Sequence, residues 1–469
     1  MTSSVDGLVS GLSTSSMINQ MMQVEAASQT KLKTKVETAK TAVTSYQSVN
    51  AKLSAAKSAA DVLGRLETWR SVKATSSSEG VTATATGGLS AMSGSIKFNV
   101  DQVAKAQTTI VPNVDTTVTT YPNSINITLG GYTAPDGDGD GQPDFDPGTN
   151  LPKNITVTGD ATPEKIAAAV NSAGLGIRAY VVKTTGNEGV LQFTGMKSGA
   201  ANGFKIEFDG ASAPFDAPIT TQPQDAKVTL NPGEASAYSV TSTSNVFSAL
   251  MPGVSLTVSK PENGVTVDAV ADVSAIADKF KAFVDATNEA LTEIKTQTAY
   301  DAETRTASPL TGDFTIRQMM QTLMGQISGG LNSKMKLDTD GKKILSEPYD
   351  FGSLKQLGIS LSKDGKQLDF DAGAFTTAYN KDATKIQEAG QIFGNNIKLI
   401  ANKQTKSVTD VITGRKNEID SLNGQISNWD VRLSARREAL QRQYAALETS
   451  LGSLKNQSSW LSGQLAGLA

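Results

Sequence analysis

The residues of this chain best placed to do chemistry lie in one short run, Asp136-Gly137-Asp138-Gly139-Asp140-Gly141-Gln142-Pro143-Asp144-Phe145-Asp146. Read as a loop, it sets carboxylates at positions 1, 3, 5 and 9, Gly at 6 and a main-chain carbonyl at 7. That is the ligand spacing of a calcium loop, because a hard cation needs several oxygens around a tight turn. Asp136, Asp138, Asp140, Gln142, Asp144 and Asp146 are therefore the candidate metal ligands. Position 12, where a bidentate Glu usually closes such a site, is Pro147, which excludes a standard EF-hand and leaves a DxDxDG-type loop. An acidic, glycine-rich surface turn would carry the same residues, and the two readings stand side by side. A carboxylate pair for hydrolysis is a third reading, but nothing nearby suggests a substrate cleft, so no catalytic residue is assigned.

Composition narrows the chemistry further. Among 469 residues there is no Cys and no His. This removes thiolate nucleophiles, disulfides, Cys/His zinc sites and Ser-His or Cys-His catalytic pairs together. The chain is expected not to be an enzyme and to require no cofactor, calcium being the one ion it would take. A net charge of -3 without a Lys/Arg-rich run gives nucleic acid no electrostatic foothold. No stretch approaches the roughly 18 apolar residues of a membrane span, and the first basic residue is Lys31, so neither membrane insertion nor a cleaved secretory signal is expected.

The elements that carry these residues fall into three textures. From about Ser16 to Leu63 there is no Gly or Pro, and Met22, Leu32, Val36, Ala39, Val43, Tyr46 and Leu53 recur at helical spacing, which predicts one long helix. From Arg70 to about Ser259, short alternating runs such as Val81-Thr82-Ala83-Thr84-Ala85 predict strands, interrupted by one helix at Pro163 to Ser172. Helical periodicity returns at Val273 to Lys295 and at about Phe314 to Ile327, and then from Ala383 to the end. With 38% hydrophobic residues, the chain can build two or three cores.

The last segment has the strongest period. Ile419, Ile426, Leu433, Leu440, Leu447, Leu454, Leu461 and Leu468 recur every seventh residue, with a companion row of Tyr444, Leu451 and Leu465. A helix from Ile419 to Leu468 is about 75 Å long, more than a small domain can cover, so its distal half is expected to pack on another molecule. Gly414, Gly424, Gly452, Gly463 and Gly467 each weaken an isolated helix by about 1 kcal/mol relative to Ala, so the tail is expected to gain order only against neighbours. The expected contact residues are Leu440, Tyr444, Leu447, Leu451, Leu454, Leu461, Leu465 and Leu468, with Met22, Leu32 and Val36 from the N-terminal helix. A fragment from near Ser71 to near Gly414 is expected to keep a folded β-rich region without this seam.

Helical ends around a β-rich middle give an α+β chain in which long N- and C-terminal coiled-coil helices meet and β-rich domains are nested between them. The expected divisions are 1–70, an N-terminal helix; 71–110 with 225–270, an inner β-rich domain; 111–224, an outer domain with one short helix; 271–389, helices and loops; and 390–469, a C-terminal coiled coil.

Several motifs occur in this order: Gly7-Leu8-Val9-Ser10-Gly11-Leu12-Ser13-Thr14, Arg70-Ser71-Val72-Lys73-Ala74-Thr75, Gly94-Ser95-Ile96-Lys97-Phe98-Asn99-Val100, and Val103-Ala104-Lys105-Ala106-Gln107. They are followed by Ser242-Thr243-Ser244-Asn245-Val246-Phe247, Pro252-Gly253-Val254-Ser255-Leu256, Phe283-Val284-Asp285-Ala286-Thr287-Asn288 and Pro309-Leu310-Thr311-Gly312-Asp313. Together they resemble the FliD family of flagellar caps, also called flagellar hook-associated protein 2, over nearly the whole chain. The stretch Pro163 to Val182 looks like a module that flagellins share, so a flagellin-like or hook-filament junction subunit remains the alternative, as does a secreted adhesin binding host glycan or mucin. The resemblance implies a β-rich head, a helical stem and terminal legs, assembled as a ring of about five subunits. It implies flagellin, the hook-filament junction protein and a flagellar export chaperone as partners. It also implies an extracellular place at the flagellum tip, reached through the flagellar type III channel without a cleaved signal.

Overall fold

Alternation decides the middle of the chain. In Ile96-Lys97-Phe98-Asn99-Val100 every second side chain turns inward, and Phe98 and Val100 are fully buried while Lys97 is exposed. The computed structural model describes residues 13–137, 139, 142–209 and 216–466, and in it the chain divides into two units. One runs from Leu66 to Ile276, and the other comprises the residues up to Arg65 and from Ala277 onward. The Gly7 to Leu12 motif, Asp138, Asp140 and Leu468 lie outside the described residues.

The Leu66–Ile276 unit holds two β cores. A five-stranded antiparallel sheet, in the order Val72–Ser76, Glu262–Ala271, Gly94–Gln102, Ala226–Leu230, Tyr238–Ser242, covers one of them. A three-stranded sheet of Val246–Met251, Val254–Val258 and Val81–Ala85 also lines it. This inner core contains Phe98, Val228, Phe247, Leu256 and Val267. The outer core, around Ile125, Ile166, Leu191, Phe193 and Phe204, lies among two four-stranded sheets and a helix. One sheet is built on Ser124–Ala134, and the other runs Ile219–Thr221, Ala106–Asp115, Glu188–Ser198, Ile177–Lys183. The helix is Pro163–Ser172, where the Thr162 hydroxyl accepts from the Lys165 amide at 3.3 Å and Pro163 fills a first-turn position whose N–H would have no partner. Gln107 joins the two outer sheets. Its side-chain oxygen accepts from Phe204 N at 2.7 Å and its Nε2 donates to Phe204 O at 2.6 Å, so a buried amide stands in for a missing strand contact.

Among the described residues the other unit is built mainly of helices and carries three two-stranded sheets, while the helices Leu66–Trp69 and Pro163–Ser172 belong to the Leu66–Ile276 unit. Eight helices occur among the described residues; in chain order they are α1 Thr14–Glu25, α2 Ala27–Gly64, α3 Leu66–Trp69, α4 Pro163–Ser172, α5 Val273–Thr298, α6 Phe314–Ser328, α7 Ala372–Lys381 and α8 Ala383–Ala466. The single N-terminal helix expected from sequence is divided at Ala26, but Ala26 keeps right-handed helical angles, φ -72 and ψ -9, so the interruption is slight. Val43, Tyr46, Val49 and Leu53 of α2 share a core with Ala290 and Ile294 of α5, Ile316, Met319 and Leu323 of α6, and Val408 and Ile412 of α8. A fragment starting at Ser71 would therefore remove one wall of this core. Gly394 marks a close approach of α8 to α2: a Cβ there would lie 2.5 Å from Gly64 N and 2.6 Å from Ala60 O. The tail also differs from expectation. Helix α8 runs on to Ala466 in the single chain, through Gly414, Gly424 and Gly452, because Ala, Leu, Gln and Lys between the glycines are strong helix formers.

Candidate assembly surface

Helices α2 and α8 run antiparallel, and their polar contacts fix the register. Gln29 Nε2 donates to Asp430 Oδ1 at 2.5 Å, Asn50 Nδ2 to Thr409 Oγ1 at 3.4 Å, Lys57 Nζ to Asn402 Oδ1 at 3.4 Å, and Lys398 Nζ meets Asp61 Oδ1 at 2.6 Å. Each step forward along α2 is matched by an equal step back along α8. The Lys398 ammonium first, and the Arg65 guanidinium second, hold the Asp61 carboxyl below the usual carboxylate range.

Further toward the chain ends α1 takes over from α2. Ile18 and Met22 of α1 are buried against Leu440, with Leu433 and Tyr444 packed beside them. Arg436 Nε donates to Glu25 Oε1 at 2.9 Å, and Arg437 donates to Asn19 Oδ1 at 2.6 Å. The described part of α1 begins at Thr14, which by this register lies across from the turn of α8 that holds Tyr444.

At Leu440 the two periodicities of α8 part. Leu440, Tyr444, Glu448 and Leu451, spaced by four, four and three, are buried or half-buried. The every-seventh row turns to solvent, with Leu447 47%, Leu454 59% and Leu461 55% exposed, and Leu465 at 62% beside them. The row beyond Tyr444 lies past the stretch of α8 that faces the described part of α1, and a seven-residue repeat on a helix of 3.6 residues per turn adds a drift of about 20° per heptad. Met22, Val36 and Leu440, assigned from sequence to contacts with another molecule, are buried within this chain, and Leu32 is half-buried. Sequence reasoning missed a second apolar row, Met17, Met21 and Val24, on the exposed side of α1, although its four-and-three spacing was a readable signal. It also missed Trp460, 66% exposed on α8.

The acidic run takes a different form from the loop read in sequence. Asp144–Asp146 is a short strand on Ser124–Ala134, with Phe145 opposite Tyr132 and their rings 5.5 Å apart. Asp136 Oδ1 accepts from Gly139 N at 2.7 Å, Asp144 Oδ2 from Gly137 N at 2.9 Å, and Asp146 Oδ1 from Gly148 N at 2.8 Å. One oxygen of each of these carboxylates thus closes a turn, and Gln142 is exposed. Among the described residues no group of three or more acidic side chains converges as a metal site. Nor is any described helix long and apolar enough to cross a membrane.

Comparison with known proteins bears on the whole layout. The family model described as flagellar hook-associated protein 2 N-terminus matches residues 10–107, and that described as flagellar hook-associated protein 2 C-terminus matches residues 223–456. The chain belongs to the flagellar hook-associated protein 2, or FliD, family. This is a structural family of flagellar cap proteins. The residues between the two matches, 108–222, carry the outer β core. A flagellar hook-associated protein 2 of Escherichia coli K12 is 22% identical, covering 98% of this chain and 97% of the relative. A lateral flagellar hook-associated protein 2 of Vibrio parahaemolyticus is 26% identical over 65% of this chain and 64% of its own length. The crystal structure of the D1-D2-D3 domains of the Escherichia coli flagellar cap protein FliD shares the fold. Its TM-score is 0.54 at 20% identity, covering 76% of this chain and 95% of that one.

Proposed function

We propose that this protein caps the distal end of a bacterial flagellar filament, retaining exported flagellin and giving it a confined place to fold and polymerise. The observation that carries the proposal is the seam of Leu447, Leu454, Leu461 and Leu465, which the described parts of the chain leave exposed, and membership of a flagellar cap family supports reading it as an assembly surface. A contiguous apolar row on a soluble helix is a docking surface, and its neighbours here are flagellin at the filament end and adjacent copies in a ring of about five subunits. A contact of this kind, made by one helix face, can be released and remade as each subunit adds beneath it. In this reading the protein is not an enzyme. It works outside the cell at the flagellum tip, having left through the flagellar export channel with the help of a dedicated chaperone, and it meets the hook-filament junction protein before the filament grows. The decisive experiment deletes the gene: cells should lack long filaments while flagellin monomers accumulate in the medium. Normal filaments and swimming in that strain would end the proposal.

A further inference from the structure

Among the described residues of the Leu66–Ile276 unit the chain passes from one β core to the other between Ala104 and Val111 and returns between Phe208 and Ala226. Two crossing strands alone would make a hinge, since few contacts hold them and each peptide keeps two soft dihedrals. Here the crossing is filled by side-chain amides bonded to backbone. The two strands first pair with each other, Lys105 N donating to Gln224 O at 2.9 Å and Gln224 N to Lys105 O at 3.1 Å. Asn245, from the inner core, then treats Ala104 as a strand partner: Ala104 N donates to its Oδ1 at 2.6 Å and its Nδ2 donates to Ala104 O at 3.2 Å. Gln224 Nε2 reaches Val103 O at 2.8 Å and Gln102 Nε2 reaches Asp225 O at 2.7 Å, so each strand is tied by a side chain of the other.

The end of the outer strand Glu188–Ser198 closes the ring of bonds. Ala200 N donates to Asp225 Oδ1 at 2.8 Å, Gly199 N to Lys105 O at 3.2 Å, and the Ser198 hydroxyl to Thr243 O at 2.9 Å. Gly199 has φ +100, and a Cβ there would lie 2.7 Å from Thr243 O, so only glycine lets the outer strand come this close. Gln102, Gln224, Asp225 and Asn245 are all half-buried, where hydrogen bonds are shielded from exchange with water and reinforce one another.

We propose that these four side chains, three amides and the Asp225 carboxylate, form a polar clasp that makes the two β cores one rigid body, so that a force or a binding event at the outer core is passed to the inner core without a hinge. The clasp is distinct from both core interiors, and removing it should free the joint while leaving each core folded. The absence of native Cys allows a direct test on the full chain. Spin labels are placed through Glu164→Cys on the outer core and Asp268→Cys on the inner, both exposed positions, and the distance distribution is measured by electron double resonance. One narrow peak is expected for the parent, and a distribution about twofold broader or more after Asn245→Ala with Asp225→Ala. If that pair unfolds the inner core, Gln102→Ala with Gln224→Ala, which removes two donors from the crossing, provides the same reading. A parent distribution already broad, or clasp variants that stay narrow with both cores folded by circular dichroism, would overturn the proposal.

Discussion

At the scale of single residues, Tyr46 ties three helices together. Its hydroxyl donates to Asp313, whose other oxygen caps α6 by accepting from Ile316 N at 3.0 Å, and Arg415 of α8 stands close by. Burial first, and the Asp313 carboxylate second, push the Tyr46 phenol from 10.0 up to about 12. The folded state therefore prefers the neutral phenol, a contribution complete below pH 10 and lost as pH rises through about 12. Tyr46→Phe should cost about 1–3 kcal/mol at neutral pH, by leaving Asp313 with an unmet acceptor, and should flatten the fall in stability across that alkaline window. Parallel pH–melting curves for the two proteins would contradict this. The acidic run supports a second expectation, because its carboxylates recur at the spacing of a calcium loop and Asp136, Asp144 and Asp146 already order the loop amides around them. Calorimetry should show calcium binding with Kd on the order of 10⁻⁴ to 10⁻³ M, abolished by Asp138→Ala with Asp140→Ala. No heat at millimolar calcium, or equal heat in the variant, reduces the run to a turn. Thr162 and Pro163 could be read from sequence as a helix start because capping is local. Gln107 and Asn245 could not, since an amide that replaces a strand partner depends on residues 97 and 141 positions away.

At the scale of elements, α8 holds the most legible and the least legible features together. Its seven-residue period is plain in sequence, and so is its length. What the period does not say is which part of it the chain itself covers, because that depends on where an antiparallel partner begins, and Thr14 and Tyr444 share no local signal. The division at Leu440 makes a sharp contrast in cost. Leu440→Ala, at a site 3% exposed, should destabilise the helical unit by about 2 kcal/mol or more, through lost burial and the cavity left behind. Leu447→Ser, Leu454→Ser and Leu461→Ser should each change stability by less than about 0.5 kcal/mol, yet together abolish capping in a filament-growth assay. Restored filaments with the triple variant would remove the seam from the assembly surface.

At the scale of the molecule, the α+β class and the β-rich middle were legible because alternation and helical period are properties of short windows. The composition of the helical core was not, since α2 and α8 meet across almost the whole chain. The Leu66–Ile276 unit contains its own cores, so as a fragment it should fold alone and melt cooperatively. Extending that fragment to Gly414 without α2 should add a helical part that binds a hydrophobic dye, because Ala290, Ile294, Leu323 and Val408 lose the wall supplied by Val43, Val49 and Leu53. A dye-silent, monomeric 71–414 fragment would show that α2 is dispensable.

The antiparallel register of α2 and α8 also sets a clock. Gln29 and Asp430, bonded in the folded chain, are 401 positions apart. At a ribosomal rate of about 5–20 residues per second, the N-terminal helix exists for roughly 20–80 s before its partner has been made. All residues of the Leu66–Ile276 unit are made within that interval, whereas the helical unit has to close one of the longest loops in the chain, a step costly in chain entropy and slow by contact order. Until α5 and α6 are made the apolar side of α2, from Val43 to Leu53, lacks every partner in its core, and until α8 is made it lacks Val408 and Ile412. The nascent chain is thereby kept from completing its fold until its last hundred residues have been added.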